Sequence, residues 1–229
     1  MRVPGTRVAP LTGEFAGARF LATCVAVRQG VLGVGRRGGD KYQAILEAAI
    51  RVMAEHGYHN TQVARIAREA GVAEGTIYLY FKNKEDLLLS IFREKMSEFI
   101  ARVRAELASQ PDPLARLEAL VRTHLVCLEN DRHVARVVQV ELRTDPAVRE
   151  HVLEVLRSYF ELIEGVVVEG IRQGVFAPDI NVRAARKVIF GALDEVSTSW
   201  VLSRRQYRLT ELAEPVFRLL VRGLFGPAG

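Results

Sequence analysis

After Asp40, apolar residues recur at intervals of three and four almost without interruption in this 229-residue chain, and that period predicts helices. Ile45, Ala48, Ala49 and Val52 form one stripe across Lys41 to His56, closed by Gly57. A second, shorter stripe of Val63, Ile66, Ala67 and Ala70 follows the cap-type residues Asn60 and Thr61 and stops at Gly71. From Glu85 to Leu107 a long helix presents Leu88, Ile91, Phe92, Met96, Phe99 and Val103 on one face. Pro111 and Pro113 break the chain, and Leu114 to Glu129 resumes the period with Leu117, Leu120, Val121, Leu125 and Leu128. Further helices are expected over Val134 to Leu142, Pro146 to Gln173, Val182 to Leu202 and Leu209 to Phe225, with Gly174 and Pro178 as stop signals. No strand pattern competes. The expected fold class is therefore all-α, about nine helices, three in an N-terminal unit and the rest in a bundle.

Residues 61–84, TQVARIAREAGVAEGTIYLYFKNK, read as two short helices joined by a tight turn, a helix-turn-helix. Gly71 takes φ > 0 without Cβ strain, and the small residues Ala73, Glu74, Gly75 and Thr76 begin a helix that fits a major groove about 12 Å wide. Gly75 and Thr76 are short enough for direct base readout, while Tyr78, Tyr80 and Lys84 suit phosphate oxygens, as does Thr61 at the front of the preceding helix. Phe81 reads as a core aromatic and Lys82 as part of a solvated loop. One short recognition helix makes few base contacts, so the expected partner is double-stranded operator DNA bound by a homodimer, with two heads about 34 Å apart. The dimer contact is expected from the last two helices through Val188, Ala192, Val196, Trp200, Leu212, Val216, Leu219 and Leu220. This divides the chain into an extension over 1–40, a helix-turn-helix unit over 41–87 and a ligand-binding and dimerisation bundle over 88–229.

The same residues resemble the TetR family of bacterial transcriptional repressors. Ile66-Ala67, Ala70-Gly71-Val72, Gly75-Thr76, Tyr78-Leu79-Tyr80-Phe81 and Lys84-Glu85-Asp86-Leu87 match its pattern at fixed spacing. The chain departs at Ala73, where many members carry a serine cap for the recognition helix. Within the family the chain is most similar to the acyl-CoA-responsive repressors of fatty-acid degradation, through residues 75–96 (GTIYLYFKNKEDLLLSIFREKM), Val140-Glu141-Leu142-Arg143 and residues 189–201 (IFGALDEVSTSWV). That resemblance implies a repressor released from its operator by a long-chain acyl-CoA effector; a TetR-type repressor of another lipophilic effector, a drug or a lipid precursor, is the alternative.

An acyl chain needs a dry tunnel, for which Phe92, Met96, Phe99, Leu125, Val137, Phe160, Ile163 and Leu193 are the candidate walls, although each also suits ordinary core. The phosphates of coenzyme A call for guanidinium forks, and Arg102, Arg122, Arg132, Arg136 and Arg143 are available, with Arg132 and Arg136 the foremost candidates.

Charge supports DNA binding less than its total suggests. The chain carries 32 basic and 27 acidic residues, yet from Lys41 to Asp86 the bases Lys41, Arg51, Arg65, Arg68, Lys82 and Lys84 are balanced by Glu47, Glu55, Glu69, Glu74, Glu85 and Asp86. Affinity must then come from placed phosphate contacts, or from the Arg-rich extension over 1–40. That extension reads either as a flexible basic arm or as the product of an upstream start codon; Arg19 abutting its apolar run and Glu14 before it argue against a secretory signal.

The two cysteines, Cys24 and Cys127, have no disulfide or zinc spacing, which favours a reducing cytoplasm, and no apolar run approaches a membrane span. No enzyme is expected. Asp194 and Glu195 diverge by about 100° on a helix, and His124 and His133 lack partners at metal-ligand spacing, so neither a catalytic pair, a metal nor a cofactor is called for.

Overall fold

The computed structural model describes residues 36–143 and 149–224. The N-terminal arm to residue 35, the expected start of one helix at Pro146 and the expected end of another at Phe225 lie outside them. Nine α-helices and two 3₁₀ turns make up the described residues, with no strand among them.

Helix α1 (Arg36–His56) starts five residues before the expected Lys41, running through Gly38 and Gly39. Its inward residues Ile45, Leu46, Ala48, Ala49 and Met53 are fully buried. Gly57, at φ +80°, ends it, donating its N–H to Met53 O at 2.9 Å. Helix α2 (Val63–Glu69) is preceded by Gln62, which has no side-chain cap bond, so the expected caps Asn60 and Thr61 do not open it. The Thr61 hydroxyl instead donates back to Gly57 O at 2.7 Å and closes the end of α1.

The α2 terminus is a Schellman turn: Val72 N–H reaches Ala67 O and Gly71 N–H reaches Arg68 O, with Gly71 at φ +67°. Helix α3 (Glu74–Ile77) is a single turn with Ala73 as an uncapped N-cap, and buried Ile77 pins it to the core. No serine-type cap bond replaces the one that Ala73 cannot make.

Helix α4 (Lys84–Ala108) is capped by Asn83, whose side chain accepts the Asp86 N–H, while the Asp86 carboxylate accepts the Lys82 N–H. Its 25 residues span about 37 Å and serve two hydrophobic clusters. Leu87, Leu88, Ile91, Phe92 and Met96 pack with α1–α3, whereas Val103 and Leu107 pack into the bundle; Phe99 and Ile100 lie against both.

The bundle continues with α5 (Pro113–Asn130), capped by Asp112, and α6 (Arg132–Gln139), capped by Asp131. The expected helix Val134 to Leu142 therefore starts earlier and tightens into a 3₁₀ turn over Glu141–Arg143. Helices α7 (Arg149–Arg172) and α8 (Val182–Leu202) follow, the latter with the expected bounds. The last expected helix splits into a 3₁₀ turn, Leu209–Leu212, and α9 (Ala213–Leu224), whose first turn holds Pro215, where a missing N–H breaks no helical bond.

Candidate nucleic-acid interface and bundle interior

The recognition turn projects from a rigid base. Ile77 and Phe81 are each 2% exposed, and Phe81 stacks on Tyr42 at 5.2 Å, so Phe81 is the core aromatic its pattern suggested. Between these two anchors the chain turns outward: Tyr78 is 51% and Leu79 82% exposed. Gly75 is exposed and Thr76 half-exposed on the same turn. Tyr80 is half-buried, its ring edge-on to Tyr42 at 6.1 Å. Gly75 has no intramolecular reason to be glycine: its φ is not positive, and a Cβ built on it meets nothing within 4 Å. Bareness at an exposed helix start leaves room for another backbone or a base edge.

Two expected phosphate contacts face the other way. Thr61 is 3% exposed, with its hydroxyl on Gly57 O and its N–H on Tyr58 O, so both of its donors are used inside the protein. The Lys84 ammonium donates to Tyr58 O at 2.8 Å, Thr61 O at 3.0 Å and His59 O at 3.4 Å, and sits 4.5 Å from the Tyr58 ring centroid. It is a clamp on the turn between α1 and α2. Lysine fits that place because its three protons match three carbonyls that no helix uses. The exposed cation of this loop is Lys82, which the sequence pattern leaves as background.

The residues expected to wall an acyl tunnel divide between the two clusters. Leu125, Ile163 and Leu193 are fully buried in the bundle cluster, and Phe92, Met96 and Val137 are buried in the head cluster, with Phe99 touching both. Phe160 stands apart: half-buried, it packs edge-on to Phe190 at 5.0 Å under the Arg186 guanidinium. It lines a surface cleft of about 410 Å³ whose charged groups, Arg157 and Arg186 against Glu161 and Glu164, balance.

Arg132 lies over the Trp200 ring at 4.5 Å and donates to the carbonyls of Trp200, Val201 and Ser203, which makes it a C-terminal cap of α8 rather than a free phosphate fork. Arg136 is half-buried, with its Nε enclosed and without a protein partner. The side chain of Arg143 lies outside the described residues.

One feature of the interior escaped the sequence. His124 and Tyr159 meet at 2.8 Å between Nδ1 and the phenol oxygen, with the edge of Phe99 against both rings. Burial pushes the His124 pKa down to about 4, and burial, followed by the nearby Cys127, pushes the Tyr159 phenol up. His124 Nε2 and the adjacent Thr123 Oγ1 are buried with no hydrogen-bond partner on the protein. A histidine and a tyrosine 35 positions apart, each inside an apolar stripe, carry no spacing signal; only the packing of α5 on α7 joins them. Among the described residues no group of three or more His, Cys, Asp or Glu could hold a metal ion, and no helix is long and apolar enough to cross a membrane.

Of the expected dimer residues, Trp200, Val216 and Leu220 are buried in the chain's own core. Val188 (47%) and Leu219 (73%) are exposed, and Ala192, Val196 and Leu212 are half-exposed.

Comparison with known proteins accounts for both halves. Residues 45–91 match the model of bacterial regulatory proteins of the tetR family, and residues 92–223 match that of the YsiA-like protein C-terminal region. The fatty acid metabolism regulator protein of Bacillus subtilis is 43% identical over 80% of this chain and 95% of its own length. Among solved structures, the fatty acid degradation regulator FadR of Bacillus halodurans superposes with a TM-score of 0.78 at 46% identity, covering 80% of this chain and 96% of that one. FadR of Bacillus subtilis in complex with stearoyl-CoA gives 0.77 at 42%, covering 80% and 99%. The chain belongs to the TetR family of bacterial regulatory proteins.

Proposed function

We propose that this protein is a TetR-type repressor of fatty-acid degradation genes, which holds double-stranded operator DNA as a homodimer and is released by long-chain acyl-CoA. The observation that carries the reading is the reach of the likeness. It runs through the bundle as well as the head, to a regulator whose solved structure holds stearoyl-CoA. The functional division falls between residues 41–87, which meet DNA, and 88–229, which sense and dimerise. Residues 1–40 are an extension to both.

At the operator, Gly75 and Thr76 read base edges while Tyr78, Tyr80 and Lys82 hold phosphates. Leu79, the most exposed apolar side chain of the turn, suits a thymine methyl. Dimerisation uses the exposed Val188 and Leu219 on α8 and α9, which a second copy would cover.

The bundle interior fits an acyl-CoA in its chemistry. Aliphatic and aromatic side chains pack against Phe99, and the partnerless His124 Nε2 offers a hydrogen bond to a ligand carbonyl, while Thr123, the residue before it on α5, faces about 100° away. The effector acts by binding the released state more tightly, since equal affinity for both states would shift nothing. No catalysis and no bound cofactor are needed for this work, and its place is the cytoplasm, where operator and acyl-CoA meet.

Titration calorimetry with lauroyl- and palmitoyl-CoA, followed by gel shifts of the protein on its own promoter region with the same ligands, tests the reading. Stoichiometric binding with loss of the shifted band is expected. A persistent band with no binding heat would keep the repressor and replace the effector by another lipophilic compound. An absent band with acyl-CoA turnover would overturn the reading altogether.

A further inference from the structure

Glu141 sits two residues past α6 in the 3₁₀ turn and is 6% exposed. Its Oε2 accepts the N–H of Tyr58 at 2.7 Å, across 83 positions of sequence. Its two carboxylate oxygens lie in front of Gly57, 3.7 and 4.0 Å from where a Cβ would stand. On the carbonyl side of the same turn is the Lys84 ammonium, on Tyr58 O, His59 O and Thr61 O. The segment that joins α1 to the helix-turn-helix is thus gripped by an anion on an N–H and by a cation on three carbonyls. Only the anion comes from the bundle.

The element that carries Glu141 is tied to α8 at both ends. Arg132, at the start of α6, caps the carbonyls of Trp200, Val201 and Ser203, and Gln139, at its end, accepts the Thr198 hydroxyl at 3.1 Å. Helix α8 in turn lines the interior through fully buried Leu193. Val137 and Leu142, on either side of Glu141, are buried in the head cluster with Leu87 to Met96. A buried carboxylate tolerates little drift from its donors, because losing them leaves a desolvated charge, so such a contact is made or broken rather than stretched.

We infer that Glu141 is a positioning residue: its bond to Tyr58 N–H couples the state of the bundle to the orientation of the recognition head. The inference rests on the proposed reading of an acyl-CoA-relieved repressor. Displacement of α6 and α8 by an occupied interior pulls Glu141 from the turn and frees α2 and α3 from the spacing that the operator requires.

The test is the factor by which saturating palmitoyl-CoA weakens operator binding, measured by fluorescence anisotropy on the full chain. A coupling of this kind is about 5- to 150-fold. Glu141→Ala is expected to bring the factor below about one third of the wild-type value, and Glu141→Gln, which keeps an acceptor for Tyr58 N–H, to restore most of it. By reciprocity, operator DNA weakens palmitoyl-CoA binding by the same reduced factor in Glu141→Ala.

A merely structural role would lower stability or operator affinity and leave the factor unchanged, and that result overturns the inference while the reading stands. No response to palmitoyl-CoA in the wild type overturns the effector reading and the coupling with it. Should Glu141→Ala fail to fold, amide exchange of the wild type decides: faster exchange at Tyr58 on adding palmitoyl-CoA supports the coupling, and unchanged exchange overturns it.

Discussion

The tip of the head and the centre of the bundle both hold groups that the chain itself does not satisfy, but at the tip they face out and at the centre they face in. Gly75 forgoes roughly 0.5–1 kcal/mol of helix stability relative to alanine with no atom near enough to require it, and Tyr78 and Leu79 stand exposed beside it. In the bundle, Thr123 Oγ1 and His124 Nε2 are enclosed without a protein partner. An outward surface on pinned residues suits a large, rigid partner that docks without rearranging the protein. An inward polar group in a packed core suits a small ligand, for which a close-packed interior must make room. In the proposed function the contrast is that of a reading surface and a sensing interior.

The largest test of that contrast lies at Lys84, which belongs to the head but faces inward. Charged donors to carbonyls contribute more than neutral ones, so Lys84→Met is expected to lower unfolding free energy by about 2–3 kcal/mol, measured by urea denaturation. A loss under about 0.5 kcal/mol would return Lys84 to the reading surface.

The next effect probes the interior. His124 is neutral in the fold, with its pKa near 4 against 6.5 for the free side chain. Between those values the unfolded chain binds the extra proton, so stability falls as pH drops below about 6.5, by about 2 kcal/mol from pH 7 to pH 5. His124→Gln, which does not titrate, is expected to lack that part of the acid sensitivity in denaturant melts at the two pH values. Parallel acid losses in both proteins would mean that His124 is hydrated and its surroundings already open.

How much of this was legible depended on how local each signal is. The helices follow from a 3.6-residue period, and α8 kept its expected bounds because Asn181 caps it and the stripe is unbroken. The recognition turn was equally plain, since Gly71, Ile77 and Phe81 act within a few residues of one another. Lys84 misled because a lysine beside an aromatic run is common at phosphate contacts, while the carbonyls it serves lie 23–26 positions earlier. His124 with Tyr159, and Glu141 with Tyr58, depend on which helices pack together, and a sequence period does not encode that.

A smaller effect sharpens the reading surface. Gly75→Ala fills open space at a helix start, so the protein is expected to gain up to about 0.5–1 kcal/mol in stability while operator affinity falls about tenfold. Thermal melts and anisotropy on one preparation separate the two. Unchanged affinity would show that the turn stands clear of the groove floor.

The smallest effect separates two lysines of one loop. Lys82 is exposed, and its backbone N–H is fixed to the Asp86 carboxylate at 2.9 Å, so the side chain leaves from a defined position beside Tyr80. Each phosphate it neutralises contributes about 0.9 to the slope of log K against log salt. Lys82→Ala is expected to flatten that slope by close to one per protomer and to weaken binding a few-fold on every operator variant alike, because phosphates carry no sequence. Lys84→Met, assayed where it is folded, should leave the slope as it is, its charge being spent on carbonyls. If the slopes came out reversed, the Lys84 ammonium would have to leave those carbonyls when DNA binds. The turn gripped by Glu141 and Lys84 would then open at the operator, and the head could not be the rigid partner of a mobile bundle.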